Sequence, residues 1–197
     1  STSSELSALR QKIASSLEAD IERELAELSF NNAKFSVAFD TSAENLSACG
    51  IDKVQFLLSA NRGTPAKPLA KIASGGEMSR IMLAFKNILA DFDQIPTMIF
   101  DEIDTGISGI AASVVASKLR QIAKSHQIIC ITHLPQIAAS GDTNFEIRKS
   151  SDDSSTRVEL NKLSEEEKIN EIARLLGGKA ITDVTLKSAE ELISASR

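Results

Sequence analysis

Apolar residues at Leu6, Leu9, Ile13, Leu17, Ile21, Leu25 and Leu28 recur every three or four positions, which predicts a long amphipathic helix at the start of the chain. The stripe fits a surface helix packed on a domain, and it fits equally the end of a coiled-coil arm; too few heptads are visible to separate the two. The period then shortens. Lys34–Phe39 and Lys53–Ser59 are β-favouring runs divided by a polar loop through Asn45 and Gly50. Asn61–Pro68 holds Gly63, Pro65 and Pro68 and reads as a loop. Helical spacing returns from Glu77 to about Asp91, through Met78, Ile81, Met82, Phe85, Ile88, Leu89 and Phe92, and breaks at Pro96.

Thr97–Phe100 and Gln127–Thr132 are short apolar runs on either side of a helical stretch, Ile110–Lys124. Strand, helix, strand at this spacing predicts a βαβ unit with parallel strands buried on both faces. Two further strands, Phe145–Lys149 and Arg157–Leu160, flank the polar turn Ser150–Ser155. Two helices complete the pattern, Glu165–Leu176, closed by Gly177-Gly178, and Thr182–Ser194.

Composition adds exclusions rather than a function. Hydrophobic residues are 42% and charged residues 25% of 197, ordinary for a globular protein, and no apolar run is long enough to span a bilayer. The first ten residues lack the basic-then-apolar pattern of a signal peptide, so a cytoplasmic protein is expected. Cys49 and Cys130 lie far apart, and Cys130 sits in an apolar run, where a buried thiol is expected rather than a disulfide. A net charge of −5 argues against a strongly basic nucleic-acid-binding surface on this piece.

Three places carry candidate chemistry. Ser74-Gly75-Gly76-Glu77 opens the second helix with the spacing of a capping box, Ser74 as N-cap and Glu77 as its partner. The paired glycines leave backbone N–H groups uncovered at the positive end of a helix dipole, which suits a phosphate; a well-capped helix is the plainer alternative. Asp101 and Glu102 emerge at the C-terminal end of the Thr97–Phe100 strand, the edge where open α/β sheets bind ligands. The first carboxylate is placed to hold Mg²⁺ and the second to take a proton from an attacking water, the form of a Walker B motif. Carboxylates at a strand end also serve solubility alone. His133 comes directly after the second strand and is expected at the same edge, where an imidazole could bond a terminal phosphate or be merely structural.

Order makes these places informative together. A phosphate-ready helix start, a strand ending in Asp-Glu and a strand ending in His is the C-terminal order of ABC-type ATPases, with Asp104-Thr105-Gly106 standing where that family has its D-loop. The segments Lys71–Arg80, Pro96–Gly109 and Thr132–Ala138 resemble those of the RecN family, bacterial SMC-like ATPases of double-strand-break repair. The likeness runs back to Phe35 and on through Ile169–Gly178 to the closing helix. Transporter ATPases usually continue the signature with Gln, not with Glu77-Met78-Ser79-Arg80.

The resemblance implies an α/β fold: the C-terminal lobe of an ABC-type head, mainly parallel sheet flanked by helices. Residues 1–30 would be a helix returning from a coiled-coil arm and 31–197 the lobe. It implies that Asp101 supports Mg²⁺, Glu102 activates water and His133 contacts the γ-phosphate. Ser74, Gly75, Gly76 and Glu77 would close over ATP held by a second head, and Asp104 would communicate across that interface.

No Gly-x-x-x-x-Gly-Lys-Ser/Thr loop occurs; Gly178-Lys179 runs into Ala180, and Gly63 has no such lysine. ATP and Mg²⁺ are therefore expected only with an N-terminal P-loop lobe of the same protein, in a homodimer of heads, with DNA bound through the full-length, nucleoid-associated protein. By itself the chain is expected to be inactive. A non-catalytic dimerisation module, or a lobe of another SMC-like ATPase or of a transporter, are the competing expectations.

Overall fold

The computed structural model describes residues 2–71, 74–92, 95–151, 156–178 and 180–196. The chain divides into two compact units at Pro96 and Thr97.

The first unit begins with α1 (Thr2–Glu27), whose 26 residues span roughly 39 Å. The helix stops without glycine. Ser29 takes the left-handed conformation (φ 73°), and the Phe30 N–H donates to the Leu25 carbonyl at 2.9 Å, satisfying an end carbonyl in the manner of a Schellman turn. Only the C-terminal part of the stripe is sealed: Ile21, Leu25 and Leu28 are buried, whereas Leu9 and Ile13 are more than half exposed.

β1 (Lys34–Thr41), β2 (Asp52–Ser59) and the two-residue β3 (Lys67–Pro68) form an antiparallel sheet in the order β1-β2-β3. The β1–β2 register runs from Lys34 opposite Ser59 to Thr41 opposite Asp52. α1 lies along the edge of β1. Glu22 Oε1 accepts the Phe35 N–H at 3.2 Å, and Glu18 Oε1 accepts the Val37 N–H at 2.7 Å. The match is geometric: four residues of helix rise ~6 Å and two residues of strand ~6.8 Å. At the other end of the hairpin Asp52 accepts bonds from Ser7 Oγ (2.7 Å), Thr41 Oγ1 (2.8 Å) and Arg10 Nη1 (3.1 Å). These donors, the Ser7 hydroxyl first, hold its carboxyl below the usual carboxylate range against the opposing effect of burial.

α2 (Gly75–Leu89) packs on α1 and buries Ile81, Ala84 and Phe85. Burying each large apolar side chain here contributes ~1.5–3 kcal/mol. The rings of Phe35, Phe56 and Phe85 cluster with centroids 5.4–5.8 Å apart, and Asn87 Nδ2 donates to Glu24 Oε2 at 2.8 Å.

The second unit contains β4 (Thr97–Phe100), α3 (Ile110–Ala123) and β5 (Gln127–Cys130), then α4 (Pro135–Ser140). β4 and β5 are parallel, with Thr97 opposite Gln127 and Phe100 opposite Cys130. β6 (Phe145–Ser151) and β7 (Thr156–Lys162) form a hairpin, followed by α5 (Glu165–Gly177) and α6 (Asp183–Ala195). Reciprocal capping boxes at Ser164/Glu167 and Thr182/Thr185 start the last two helices, and Gly178 (φ 75°) ends α5. Ala139, Ile172, Ala173, Ala189 and Ile193 form the core that α4, α5 and α6 share.

The α/β class agrees with the sequence, and four details do not. Parallel pairing is confined to β4–β5, because the other described strands are joined by short connections that permit only antiparallel pairing. The β4–β5 pair is buried on one face only. Met98 and Phe100 point inward, while Ile99 (68%), Ile129 (45%) and Ile131 (49%) are exposed on the other. β3 forms within the segment whose prolines and glycine predict a loop, and the short α4 has no periodic signal of its own. Residues 72–73 of the signature region and 152–155 of the polar turn lie outside the described residues.

Candidate functional site

Two parallel strands end side by side, and the residues just beyond each of them make the site. After Phe100 the chain leaves β4 through Asp101 and Glu102, both exposed. Asp101 Oδ1 accepts the Glu102 N–H at 2.9 Å. Glu102 itself is left-handed, at φ 56°, a conformation that costs a non-glycine residue ~1–2 kcal/mol. The turn closes through Thr105 N–H to the Glu102 carbonyl at 3.0 Å. Together they send the chain sharply off the strand end and leave two carboxylates in solvent at the C-terminal edge of the pair.

β5 continues past Cys130, with the Ile131 N–H bonded to the Phe100 carbonyl at 3.0 Å, and then reaches Thr132 and His133. Asp104, only 3% exposed, ties the two strand ends together. Its Oδ2 accepts from Thr132 Oγ1 (2.6 Å) and from the His133 backbone N–H (2.8 Å), and His133 Nδ1 lies 3.0 Å away, at ion-pair distance. Thr132 Oγ1 in turn accepts the Leu134 N–H at 3.1 Å, just ahead of the proline that opens α4. Burial, reinforced by the charges of Asp104 and Asp101, pushes the Cys130 thiol up to about 12, so Cys130 is a packing residue rather than a nucleophile. It and the exposed Cys49 are both unbridged, as expected.

In the first unit Ser74 caps α2: its Oγ accepts the Glu77 N–H at 3.4 Å, and its carbonyl accepts the Met78 N–H at 2.9 Å. α5 and α6 carry both halves of the capping box; α2 shows the serine half. Gly75 is exposed and Gly76 buried. Glu77 lines a shallow cleft with Ser29, Phe30, Asn31, Asn61 and Arg80. The Arg80 guanidinium stands 5.5 Å from the centre of the Phe30 ring. Its burial lowers the guanidinium pKa and the Glu77 charge offsets part of that.

The strand-end prediction thus brings Asp101, Glu102 and His133 to one edge of β4–β5. Asp104, expected to communicate across a head-to-head interface, has its carboxylate buried and bonded to Thr132 and His133 of its own chain. Thr132, whose hydroxyl both gives and accepts a bond here, is absent from the residues the sequence singles out. Its only signal is a hydroxyl next to the histidine, which is too common to mark a site. Among the described residues no group of three or more His, Cys, Asp or Glu side chains could hold a metal ion.

The α/β fold of the lobe is that of Smc head domains. Among solved structures it is similar to an Smc head domain with a coiled coil and joint from Pyrococcus yayanosii, at TM-score 0.57 and 22% identity over 83% of this chain and 29% of that one. It is also similar to an Smc head domain with an extended coiled coil, bound to the C-terminal domain of ScpA, from Pyrococcus furiosus, at TM-score 0.53 and 24% identity over 84% and 39%. These establish the fold alone. No family model matches the chain.

The sequence relatives are more specific. The DNA repair protein RecN of Haemophilus influenzae is 44% identical over 192 residues, 98% of this chain and 34% of that protein. RecN of Bacillus subtilis is 40% identical over 202 residues, 95% of this chain and 35% of that protein. Over this segment the chain belongs to the RecN family, and it spans about a third of the length of these relatives.

Proposed function

We propose that this chain is the C-terminal lobe of the ATPase head of a RecN-like DNA-repair protein, and that it contributes half of an ATP-hydrolysing site. The observation that carries the proposal is the convergence of Asp101, Glu102 and His133 on one edge of two parallel strands. Asp101 is the residue for Mg²⁺. One exposed carboxylate suits that ion, which usually keeps several waters and takes the rest of its ligands from substrate phosphates. When bound, Mg²⁺ neutralises charge on the phosphates. Glu102 is the base that takes the proton of the attacking water, and His133 presents its ring to the terminal phosphate. Ser74, Gly75, Gly76 and Glu77 form the signature end, whose backbone N–H groups face the nucleotide of a second head.

This chain has no P-loop, so holding the nucleotide falls to the N-terminal part of the longer protein. The open apolar face of β4–β5, and that of the hairpin at Phe145, Ile147, Val158 and Leu160, support a lobe that is completed by other segments. Leu9 and Ile13, exposed one turn apart on α1, support the coiled-coil arm over the surface helix. With a net charge of −5, DNA is engaged elsewhere in the full-length protein.

The test is ATP hydrolysis by the full-length protein with Glu102→Gln. Loss of turnover with ATP still bound is the expected result, and unchanged turnover would sink the assignment. The same assay on this chain should show negligible ATP binding, with activity returning when the N-terminal lobe is added. A stable dimer indifferent to nucleotide and to Ser74→Arg would instead favour a non-catalytic pairing module.

A further inference from the structure

Asp104 and His133 differ sharply in exposure: the Asp104 side chain is 3% exposed and the His133 side chain 72%. One oxygen of the buried carboxylate takes two bonds, from Thr132 Oγ1 and from the His133 backbone N–H, and stands 3.0 Å from His133 Nδ1. An exposed histidine ring would ordinarily rotate freely and keep little of its orientation. This one stands with Nδ1 beside an acceptor that has no proton to give, an arrangement that favours the hydrogen on the ring nitrogen facing it.

We propose that Asp104 is a positioning residue for His133: it holds the ring with Nδ1–H inward and Nε2 outward at the strand end. Thr132 completes the bracket, since its hydroxyl occupies the same oxygen and receives the Leu134 N–H, fixing the turn from which the ring projects. The logic is that of a ligand-orienting carboxylate behind a histidine, in which the tautomer is set by the bond on the far nitrogen. What Nε2 meets rests on the ATPase-head reading above; the ring orientation does not.

The experiment has two arms, both on the full-length protein. In the first, ¹⁵N-histidine NMR without nucleotide identifies the His133 ring by its loss in His133→Ala. The Nδ1–H tautomer is expected in the parent protein, with a shift toward the Nε2–H form, which neutral imidazole prefers in water, in Asp104→Ala. In the second arm, Asp104→Ala and His133→Ala should each lower kcat by roughly 10- to 100-fold, the range for partners that orient a functional histidine. KM for ATP should stay within about twofold in each, and the double variant should be no slower than the slower single. Multiplicative losses in the double variant, or a His133 tautomer unchanged by Asp104→Ala, would overturn the proposal. Should Asp104→Ala not fold, Asp104→Asn keeps an oxygen at the same place without the charge and enters the same cycle. If Glu102→Gln leaves hydrolysis intact, the ATPase reading fails while the NMR arm still decides the Asp104–His133 bracket.

Discussion

The strand-end site and the signature end are built on opposite plans. Asp104 is bonded to residues 28 and 29 positions away, so the strand-end geometry exists only once β4 and β5 have paired. Ser74 is bonded three residues away and is complete within one helical turn. A site assembled from distant segments is sensitive to anything that disturbs the sheet, and a site written into one turn is sensitive mainly to its own residues.

The sharpest probe of the first plan is Glu102→Gln, expected to lower hydrolysis by roughly 10²- to 10⁴-fold, as befits loss of a general base, with no change in thermal unfolding. A parallel fall in melting temperature would mean the side chain supports the fold instead. Next comes thiol reactivity. With its thiol near 12, Cys130 holds only about one part in 10⁴ as thiolate at pH 8. Native-state alkylation should therefore label the exposed Cys49 and spare Cys130 until urea opens β5. Equal labelling would show that the strand pair breathes and that the contrast is overdrawn.

Ser74→Ala tests the local plan. Loss of the N-cap should cost ~1 kcal/mol in chemical denaturation and leave the tautomer of His133 untouched. Glu102→Gly relieves the left-handed backbone and should stabilise the protein by about 0.5–1 kcal/mol after the flexibility of glycine is subtracted, while abolishing turnover. A destabilised variant would mean that the turn is not strained. The smallest effect is at Asp52. Its folded-state carboxyl is depressed, so its contribution is complete above the ordinary carboxylate range and fades as pH falls through the lower, folded value. Asp52→Asn should narrow the gap between stability at pH 6 and at pH 3, and an unchanged acid slope would dismiss the Ser7–Asp52 bond as incidental.

The same division explains what the residues alone can tell. β4 is legible to the residue and α3 to within one, because apolar runs and periodicity are local quantities. Ser74 is legible as an N-cap for the same reason. The end of α1 at Ser29 carries no glycine to announce it, and β3 is two residues long with a proline in it. Asp104 stands out in the sequence, but its direction does not. Whether a carboxylate after a strand faces solvent or the next strand depends on a partner 28 residues on, which no local pattern records. The open face of β4–β5 is equally hidden, because an apolar run tells what a strand wants to bury, not whether this segment supplies the cover.

The carboxylates of Glu18 and Glu22 on the rim of β1 bear on how the segment can be handled. The outward N–H groups of an edge strand are the template on which a foreign strand adds, and here two of them are already taken, at Phe35 and Val37. A truncation that starts after α1 would remove both the plug and the apolar cover of Ile21 and Leu25 in one cut. The shortened product would be a sticky edge beside a bare core, prone to self-association in the manner of an unprotected β-sheet. Trimming that helix to obtain a smaller, tidier lobe would therefore trade a folded segment for an aggregate.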